Sequence, residues 1–144
     1  MKISTRGRYG IRLLIDLAEH TGADHEALIS VAARQNISIR YLEQVAVILR
    51  RAGYIRSVKG AAGGYALARR AQDIIIGDVL RVLEGDMLVV DPPLPSKNET
   101  KLQRCIRLTV FDRLNDRIAA VIDRKTLASV VGTVDPDESY MYFI

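Results

Sequence analysis

The side chains with the most distinctive chemistry lie together near residue 40, where the sequence reads IRYLEQ. An arginine can pair with O6 and N7 of guanine, and a glutamine with N6 and N7 of adenine. Each good pair gives ~1 to 3 kcal/mol of discrimination between bases. We therefore predict that Arg40, Tyr41 and Gln44 face base edges. Glu43 could accept a hydrogen bond from N4 of cytosine, or it could repel DNA where no such donor is present.

Two predicted helices joined by a tight turn hold these side chains. The first helix begins at Ser30 or Val31 and ends at Gln35, and Asn36 then tolerates a left-handed turn. Ser38 is a strong N-cap for the second helix. Apolar residues recur in the second helix at three- and four-residue spacing: Leu42, Val45, Ile48 and Leu49. One face is therefore buried and the other is free, which is the helix-turn-helix plan.

A second set of residues is expected to contact the DNA backbone: Lys2, Arg6, Arg8, Ser38, Arg50, Lys59 and Gly60. The first three gather at the start of a predicted first helix, which Ser4 or Thr5 should cap. A helix N-terminus with exposed amides and nearby cations can bind phosphate. The alternative is a group of solvated arginines on a surface helix.

A β-hairpin is predicted directly after the helix-turn-helix. Residues 54–58 and 65–68 favour two strands, and residues 59–64 form a glycine-rich turn. Such a hairpin is a wing, and Lys59 and Gly60 at its tip are suited to phosphate or groove contact. A purely structural hairpin is the alternative.

The charge is concentrated in the same half of the chain. Residues 1–75 hold 12 basic and 6 acidic side chains, net +6, whereas residues 76–144 hold 9 and 11, net −2. A phosphate-binding surface requires such an excess of positive charge. With 144 residues, about half of them apolar, the chain can bury one core, so we expect one domain with an appendage.

Several classes of protein fit the sequence poorly. No apolar run approaches the ~20 residues of a membrane span, the N-terminal residues lack a signal-peptide core, and the single cysteine fits a reducing compartment. We therefore expect a cytoplasmic protein with no membrane partner. Neither His20 nor His25 has a second ligand at metal spacing, and no nucleophile–base pair or carboxylate dyad is evident. We expect no metal, no cofactor and no enzymatic activity.

A proline-rich segment divides the chain. Residues 91–96 hold three of the four prolines and cannot form the interior of a helix. Residues 74–85 predict a short helix that packs on the first helix. We therefore predict a DNA-binding domain over 1–86, a linker over 87–98 and a C-terminal part over 99–144.

A long helix is predicted after the linker. Residues 99–124 contain no glycine or proline, and apolar residues recur every four positions: Leu102, Ile106, Val110, Leu114, Ile118 and Ile122. A helix of ~25 residues is ~37 Å long, which exceeds what so small a domain can cover. We expect a twofold homodimer through this helix, with two recognition helices on successive half-sites of double-stranded DNA. A helix folded back on its own domain is the alternative.

The chain ends in an apolar cluster after an acidic approach: Tyr140, Met141, Tyr142, Phe143 and Ile144. An exposed cluster of this kind would favour unwanted association. It is therefore either a strand packed on the dimer or a peptide whose terminal carboxylate is captured by a partner.

Five motifs occur together in the sequence: MKISTRGRY over 1–9, ISIRYLEQ over 37–44, LRRAGY over 49–54, VKGAAGGY over 58–65 and GDVLRVLEG over 77–85. This set resembles the Rrf-two family of bacterial winged-helix transcription regulators, and the resemblance covers nearly the whole chain. It implies a mainly α-helical fold with a small β-hairpin, in which a winged helix-turn-helix domain is joined to a long dimerisation helix.

The resemblance also raises the question of whether the protein binds an iron-sulfur cluster. Many members of the family hold an iron-sulfur cluster with three cysteines, whereas this chain has only Cys105 and cannot build that site alone. Two Cys105 residues with other ligands across a dimer remain an open alternative. Because Cys105 lies on the apolar stripe, we expect a buried thiol rather than a redox sensor.

The sequence is more similar to the branch of the family that lacks these cysteines and represses cysteine-metabolism genes, including its apolar ending. That resemblance implies control by a partner enzyme, O-acetylserine thiol-lyase (cysteine synthase), with Ile144 as the anchor. The sequence thus predicts a sequence-specific DNA-binding regulator, a dimeric repressor of sulfur or cysteine metabolism genes without an iron-sulfur cluster. Two alternatives are a redox or iron-sulfur-linked regulator sensing through Cys105, and a protein-interaction module acting through residues 140–144.

Overall fold

The chain forms a helical domain with one β-hairpin, followed by a long helix. The computed structural model describes residues 1–20, 24–92 and 98–132. The first domain contains α1 (Thr5–Glu19), α2 (Leu28–Gln35), α3 (Ile39–Arg51), β1 (Ile55–Val58), β2 (Gly64–Leu67), a single 3-10 turn (Ala71–Asp73) and α4 (Ile76–Glu84). The predicted fold class, mainly α with a small hairpin in a winged helix-turn-helix domain, is confirmed.

The helix-turn-helix consists of α2 and α3. Asn36 adopts the left-handed conformation at φ 51° and ψ 51°, and the Ser38 hydroxyl accepts a hydrogen bond from the Tyr41 amide at 3.1 Å. Helix α2 begins at Leu28, two or three residues earlier than the sequence predicts. Its N-cap, Ala27, has extended backbone and forms no side-chain cap, so the capping residues that usually mark a helix start are missing.

The wing pairs with the segment that precedes α2. Strands β1 and β2 are antiparallel, with Ile55 opposite Leu67 and Val58 opposite Gly64. Glu26 and Tyr65 exchange two backbone hydrogen bonds of 2.8 Å each, which adds a short third segment to the hairpin. The wing is therefore attached to the helical domain through its second strand.

The core is assembled mainly from α1, α2, α3 and α4. Its buried apolar members include Leu13, Leu14, Leu17, Val31, Leu42, Val45, Leu49, Ile55, Val79 and Leu83. Helix α4 packs on α1, as predicted, and it does so closely: a Cβ at Gly10 would lie 2.3 Å from Cδ1 of Leu83.

The long helix consists of consecutive segments over residues 101–122: α5 (Lys101–Ile106), a π-helical segment (Arg107–Phe111) and α6 (Asp112–Ile122). Thr100 and Gln103 form a capping box at its start. At 1.5 Å per residue, the long helix is ~33 Å long. It is slightly shorter than the segment over 99–124 that the sequence predicts.

Much of the apolar stripe of the long helix is not covered by the other residues that the structure describes. Leu102 is 69% exposed and Val121 63%, and Ile106, Leu108, Val110 and Leu114 are also exposed. Cys105 is exposed as well, so the expectation of a buried thiol is wrong for the single chain. Its position on an apolar stripe did not lead to burial because no residue within 1–20, 24–92 and 98–132 covers that part of the helix.

The segment after the long helix returns to the first domain. A short helix, α7 (Leu127–Val130), places Leu127 fully buried in the core, and the Leu127 amide donates to the Ile74 carbonyl at 2.7 Å. Arg81 of α4 binds both oxygens of Asp123 at 2.7 and 2.9 Å. The long helix is thereby anchored at its C-terminal end. No helix in the described ranges is long and apolar enough to cross a membrane.

Candidate nucleic-acid interface

The first turn of α3 is anchored to α1 by aromatic contacts. Tyr9 and Tyr41 meet edge to face, with ring centroids 5.4 Å apart, and the guanidinium of Arg12 lies 5.4 Å from the Tyr9 centroid. Arg12 also donates to the side chain of Gln35 at 3.1 Å and to the Gln35 backbone carbonyl. Because Gln35 ends α2, these contacts fix the turn that precedes α3.

The side chains predicted to read bases differ in their surroundings. Arg40, Glu43 and Gln44 are exposed on the first two turns of α3, the part of a recognition helix that enters the major groove. Tyr41 is half-buried, because its ring packs against Tyr9 and the core. Base contact by Arg40, Tyr41 and Gln44 stays a prediction, and the structure gives Tyr41 a packing role in addition.

A fully buried carboxylate lies behind the helix-turn-helix. Asp16 accepts hydrogen bonds from Nη2 and Nε of Arg34 at 2.6 and 3.1 Å and from Nε2 of Gln35 at 2.8 Å. Burial alone would raise the pKa of Asp16. The hydrogen bonds from Arg34 and Gln35 and the nearby charge of Arg34 outweigh it, so the pKa lies below its ordinary value. Asp16 is therefore a charged carboxylate at neutral pH.

Arg34 extends this network towards the wing. Its Nη2 also donates to Oε2 of Glu26 at 2.8 Å, and Glu26 is the residue that pairs with the wing. Sequence reasoning did not single out Asp16, Arg34 or Glu26. The available signal was one acidic residue among the apolar positions of the first helix, where Leu13 and Leu17 flank Asp16 on the same face.

The N-terminus of α1 is already occupied by a carboxylate. The Ser4 hydroxyl donates to Oε1 of Glu84 at 2.6 Å, and the backbone amides of Ser4 and Gly7 also bind Glu84 and help to lower its pKa against the effect of burial. The amides of Ser4 and Gly7 therefore already bind a carboxylate of the same chain. The side chains of Lys2, Arg6 and Arg8 are exposed beside this turn, and their contact with DNA stays a prediction.

The tip of the wing is exposed at Lys59 and Gly60. Gly60 has a positive φ of 119°, which L side chains rarely adopt. A Cβ at Gly63 would lie 2.2 Å from the Val58 carbonyl oxygen. The turn thus needs these glycines, and it presents Lys59 to solvent.

The end of α3 is held by an arginine from beyond the wing. Arg69 donates to the backbone carbonyls of Gly53 and Ala52 at 3.1 and 3.3 Å and lies over the Tyr54 ring at 4.6 Å. These carbonyls lack partners within the helix. Arg50, in the last turn, stays exposed and so is available for the backbone contact that the sequence predicts.

A cavity of about 470 Å³ lies beside the start of the long helix, lined by Val90, Asp91, Asn98, Glu99, Gln103, Ile106, Arg107, Phe111 and Asp112. Arg107 binds both oxygens of Glu99 at 2.7 and 3.0 Å and one of Asp112 at 3.1 Å. These ion pairs engage three of the charged side chains that line the cavity and hold the start of the helix together.

An iron-sulfur cluster does not fit the residues present. The chain supplies one thiol, Cys105, whereas such clusters are held largely by cysteine thiolates. Within the described ranges, no group of three His, Cys, Asp or Glu side chains could hold a metal ion. The tail residues Tyr140, Met141, Tyr142, Phe143 and Ile144 lie outside the described residues.

Comparison with known proteins identifies the family. The family model described as "Rrf2: Iron-dependent Transcriptional regulator" matches residues 3–133. The chain is 38% identical to the HTH-type transcriptional regulator CymR of Bacillus subtilis, with all of both chains covered.

Two solved structures have the same fold over nearly the whole chain. The structure of CymR, "the Global Cysteine Regulator of B. subtilis", has a TM-score of 0.78 at 37% identity and covers 94% of this chain and 99% of that one. T. potens IscR has a TM-score of 0.75 at 36% identity and covers 99% and 95%. The exposed face of α3, the wing behind it and these matches together show that the chain belongs to the Rrf2 family of winged helix-turn-helix transcriptional regulators.

Proposed function

We propose that the protein is a dimeric, sequence-specific repressor of sulfur or cysteine metabolism genes. The observation that carries the proposal is the first part of α3, where a capped, rigidly anchored helix presents Arg40 and Gln44 to solvent. These side chains can read guanine and adenine in the major groove. The likeness to a cysteine regulator over the full chain supports the choice of target genes.

Backbone contacts complete the proposed interface. Lys2, Arg6 and Arg8 lie at the start of α1, and Tyr9 of the same turn touches α3. Ser38, Arg50, Lys59 and Gly60 supply further contacts around the recognition helix and at the wing tip. These groups supply affinity and orientation, whereas the side chains of α3 supply specificity.

The exposed apolar stripe of the long helix supports dimerisation through this helix. Leu102, Val110, Leu114 and Val121 are exposed along a helix of ~33 Å, and contiguous apolar surface of this kind marks an interaction site. We propose that a second copy of the chain covers this stripe, because a regulator that binds a palindromic site has twofold symmetry. The two recognition helices would then meet successive half-sites about 34 Å apart.

The signal is proposed to arrive through a protein rather than a cluster, since one thiol per chain cannot build a three-thiolate site. The C-terminal residues Tyr140, Met141, Tyr142, Phe143 and Ile144 would bind O-acetylserine thiol-lyase, with the Ile144 carboxylate captured in the enzyme.

Genome-wide footprinting of the purified protein, with and without residues 140–144, tests this proposal. We expect protected palindromes near sulfur and cysteine genes with both proteins, and an effect of added O-acetylserine thiol-lyase only when the tail is present. Protection no stronger than nonspecific binding at physiological salt would contradict DNA reading. An equal effect of the enzyme on both proteins would contradict the role of the tail.

The exposure of Cys105 favours one alternative, a regulator that senses oxidants through this thiol. It predicts that hydrogen peroxide changes DNA affinity and that Cys105→Ser abolishes the change. Equal affinities of the oxidised and reduced proteins would rule it out.

A further inference from the structure

Arg34 links the segment that pairs with the wing to a buried carboxylate of α1. We propose that Arg34 is a positioning residue for DNA binding, which joins the buried carboxylate of Asp16 to the carboxylate of Glu26 and thereby fixes where the wing lies. The inference rests on the proposed function, in which the wing tip contacts DNA.

Both carboxylates share one guanidinium. Arg34 donates to Asp16 from Nε and Nη2 at 3.1 and 2.6 Å, and Nη2 also donates to Glu26 at 2.8 Å. The Arg34 side chain is 33% exposed, the Glu26 side chain 19% and the Asp16 side chain fully buried. A planar, multidentate donor is needed to hold two carboxylates in fixed directions, which a lysine could not do.

On the wing side, Glu26 is tied to β2 by its backbone. Its amide and carbonyl pair with Tyr65 at 2.8 Å each. The preceding residue of β2, Gly64, comes so close that a Cβ there would lie 2.0 Å from the Glu26 carbonyl oxygen. A shift of Glu26 must therefore shift β2 and, through the hairpin, Lys59 at the tip.

On the helical side, the same network reaches the turn before α3. Asp16 accepts from Gln35 at 2.8 Å, and Arg12 in turn donates to the Gln35 side chain at 3.1 Å. Asp16 and Arg34 therefore connect the two parts of the molecule that must contact DNA at the same time. Because the spacing between the wing and α3 is fixed before binding, less conformational entropy is lost when the protein binds DNA.

The net charge and the position of the wing predict opposite changes in DNA affinity for Glu26→Ala. Glu26→Ala removes a negative charge from a chain of net charge +4, and a more positive protein should bind DNA more strongly. Loss of wing positioning acts in the opposite direction. A weaker complex would therefore report positioning and not charge.

The experiment measures the salt dependence of binding to a duplex found by footprinting, with the full chain and the variants Glu26→Ala, Glu26→Gln, Lys59→Ala and the Glu26→Ala/Lys59→Ala double variant. We expect Glu26→Ala to weaken binding and to lower the salt slope by about one, as Lys59→Ala should. The double variant should bind no more weakly than Lys59→Ala alone. Glu26→Gln keeps an acceptor for Arg34 and should restore most of the affinity.

Two controls separate positioning from charge and from folding. Asp73→Ala removes the same charge from the exposed Arg70–Asp73 pair and should leave binding unchanged or stronger. Gly64→Ala displaces β2 from Glu26 without removing an ion pair, and it should reproduce the Glu26→Ala phenotype. Thermal melting checks that each variant is folded at the assay temperature.

Additive losses in the double variant, or Glu26→Ala binding as tightly as Asp73→Ala, would overturn the inference alone. If Lys59→Ala itself leaves the salt slope unchanged, the wing contact of the proposed function is wrong, and the inference falls with it.

Discussion

Replacing Asp16 by asparagine tests whether the buried carboxylate holds the helix-turn-helix together. Three hydrogen bonds end on this fully buried group, two from Arg34 and one from Gln35. An asparagine keeps the size and one acceptor, but it loses the charge and places an amide donor among donors. The change therefore removes both the charge and part of the hydrogen bonding without leaving a cavity.

The expected loss in the free energy of unfolding is a large share of the total. Breaking one side of a buried ion pair costs ~3 to 5 kcal/mol. Because Arg34 is 33% exposed and regains some hydration, we expect the lower part of that range or slightly less, about 2 to 3 kcal/mol. A domain of this kind is stable by only ~5 to 15 kcal/mol.

The pH dependence follows from the lowered pKa of Asp16. A carboxyl group whose pKa is lower in the folded than in the unfolded chain contributes stability that is complete above its unfolded pKa of about 3.9. That stability is lost as the pH falls through the folded pKa. The difference between wild type and Asp16→Asn should therefore be constant from about pH 7 to 5 and shrink below about pH 4.

Urea denaturation followed by circular dichroism, at one protein concentration and several pH values, measures these differences. Asp73→Asn is the matched control, because Asp73 pairs with Arg70 in solvent and such pairs contribute little. The reasoning fails if Asp16→Asn unfolds at the same urea concentration as Asp73→Asn, or if its deficit persists unchanged into acid.

The remaining predictions concern DNA reading, dimerisation and packing. Gln44→Ala should relax sequence choice in a binding-site selection, whereas Lys59→Ala should weaken binding to all sequences and lower the salt slope by about one; a uniform loss for Gln44→Ala would show that it does not touch a base. Val110→Glu, on the exposed stripe of the long helix, should give a monomer in light scattering and weaken binding to palindromes far more than to single half-sites; an unchanged mass would place the interface elsewhere. Gly64→Ala should destabilise the fold by ~1 to 3 kcal/mol in the urea assay, because its Cβ would meet the Glu26 backbone, and an unchanged midpoint would mean that the wing can move aside at no cost.

The sequence predicted local structure well at positions where a residue type strongly favours one conformation or one capping role. Asn36 and Ser38 marked the turn and the cap of the recognition helix, and the structure places both in those roles. The glycine-rich turn marked the wing, because Gly60 has a positive φ. The sequence predicts the start of α2 at Ser30 or Val31, whereas the helix begins at Leu28. Its N-cap residue, Ala27, has no side chain that can cap a helix, so the sequence carries no signal at this position.

The sequence was weaker wherever a side chain's partner comes from a distant part of the chain. Cys105 lies on an apolar stripe, but the packing of the described residues leaves that stripe exposed. The start of α1 has the pattern of an anion site, yet Glu84, some 80 positions away, fills it.

The helix-turn-helix, the wing, the long amphipathic helix and the family could be predicted from the sequence, because caps, turn glycines and apolar periodicity act over a few residues. The pairing of charges depends instead on how distant elements pack. Asp16, Arg34 and Glu26 are ordinary polar residues in the sequence, and they become one network because packing of α1, α2 and the wing brings them within hydrogen-bonding distance. Burial then makes that pairing necessary, since a carboxylate without partners in the core would be costly.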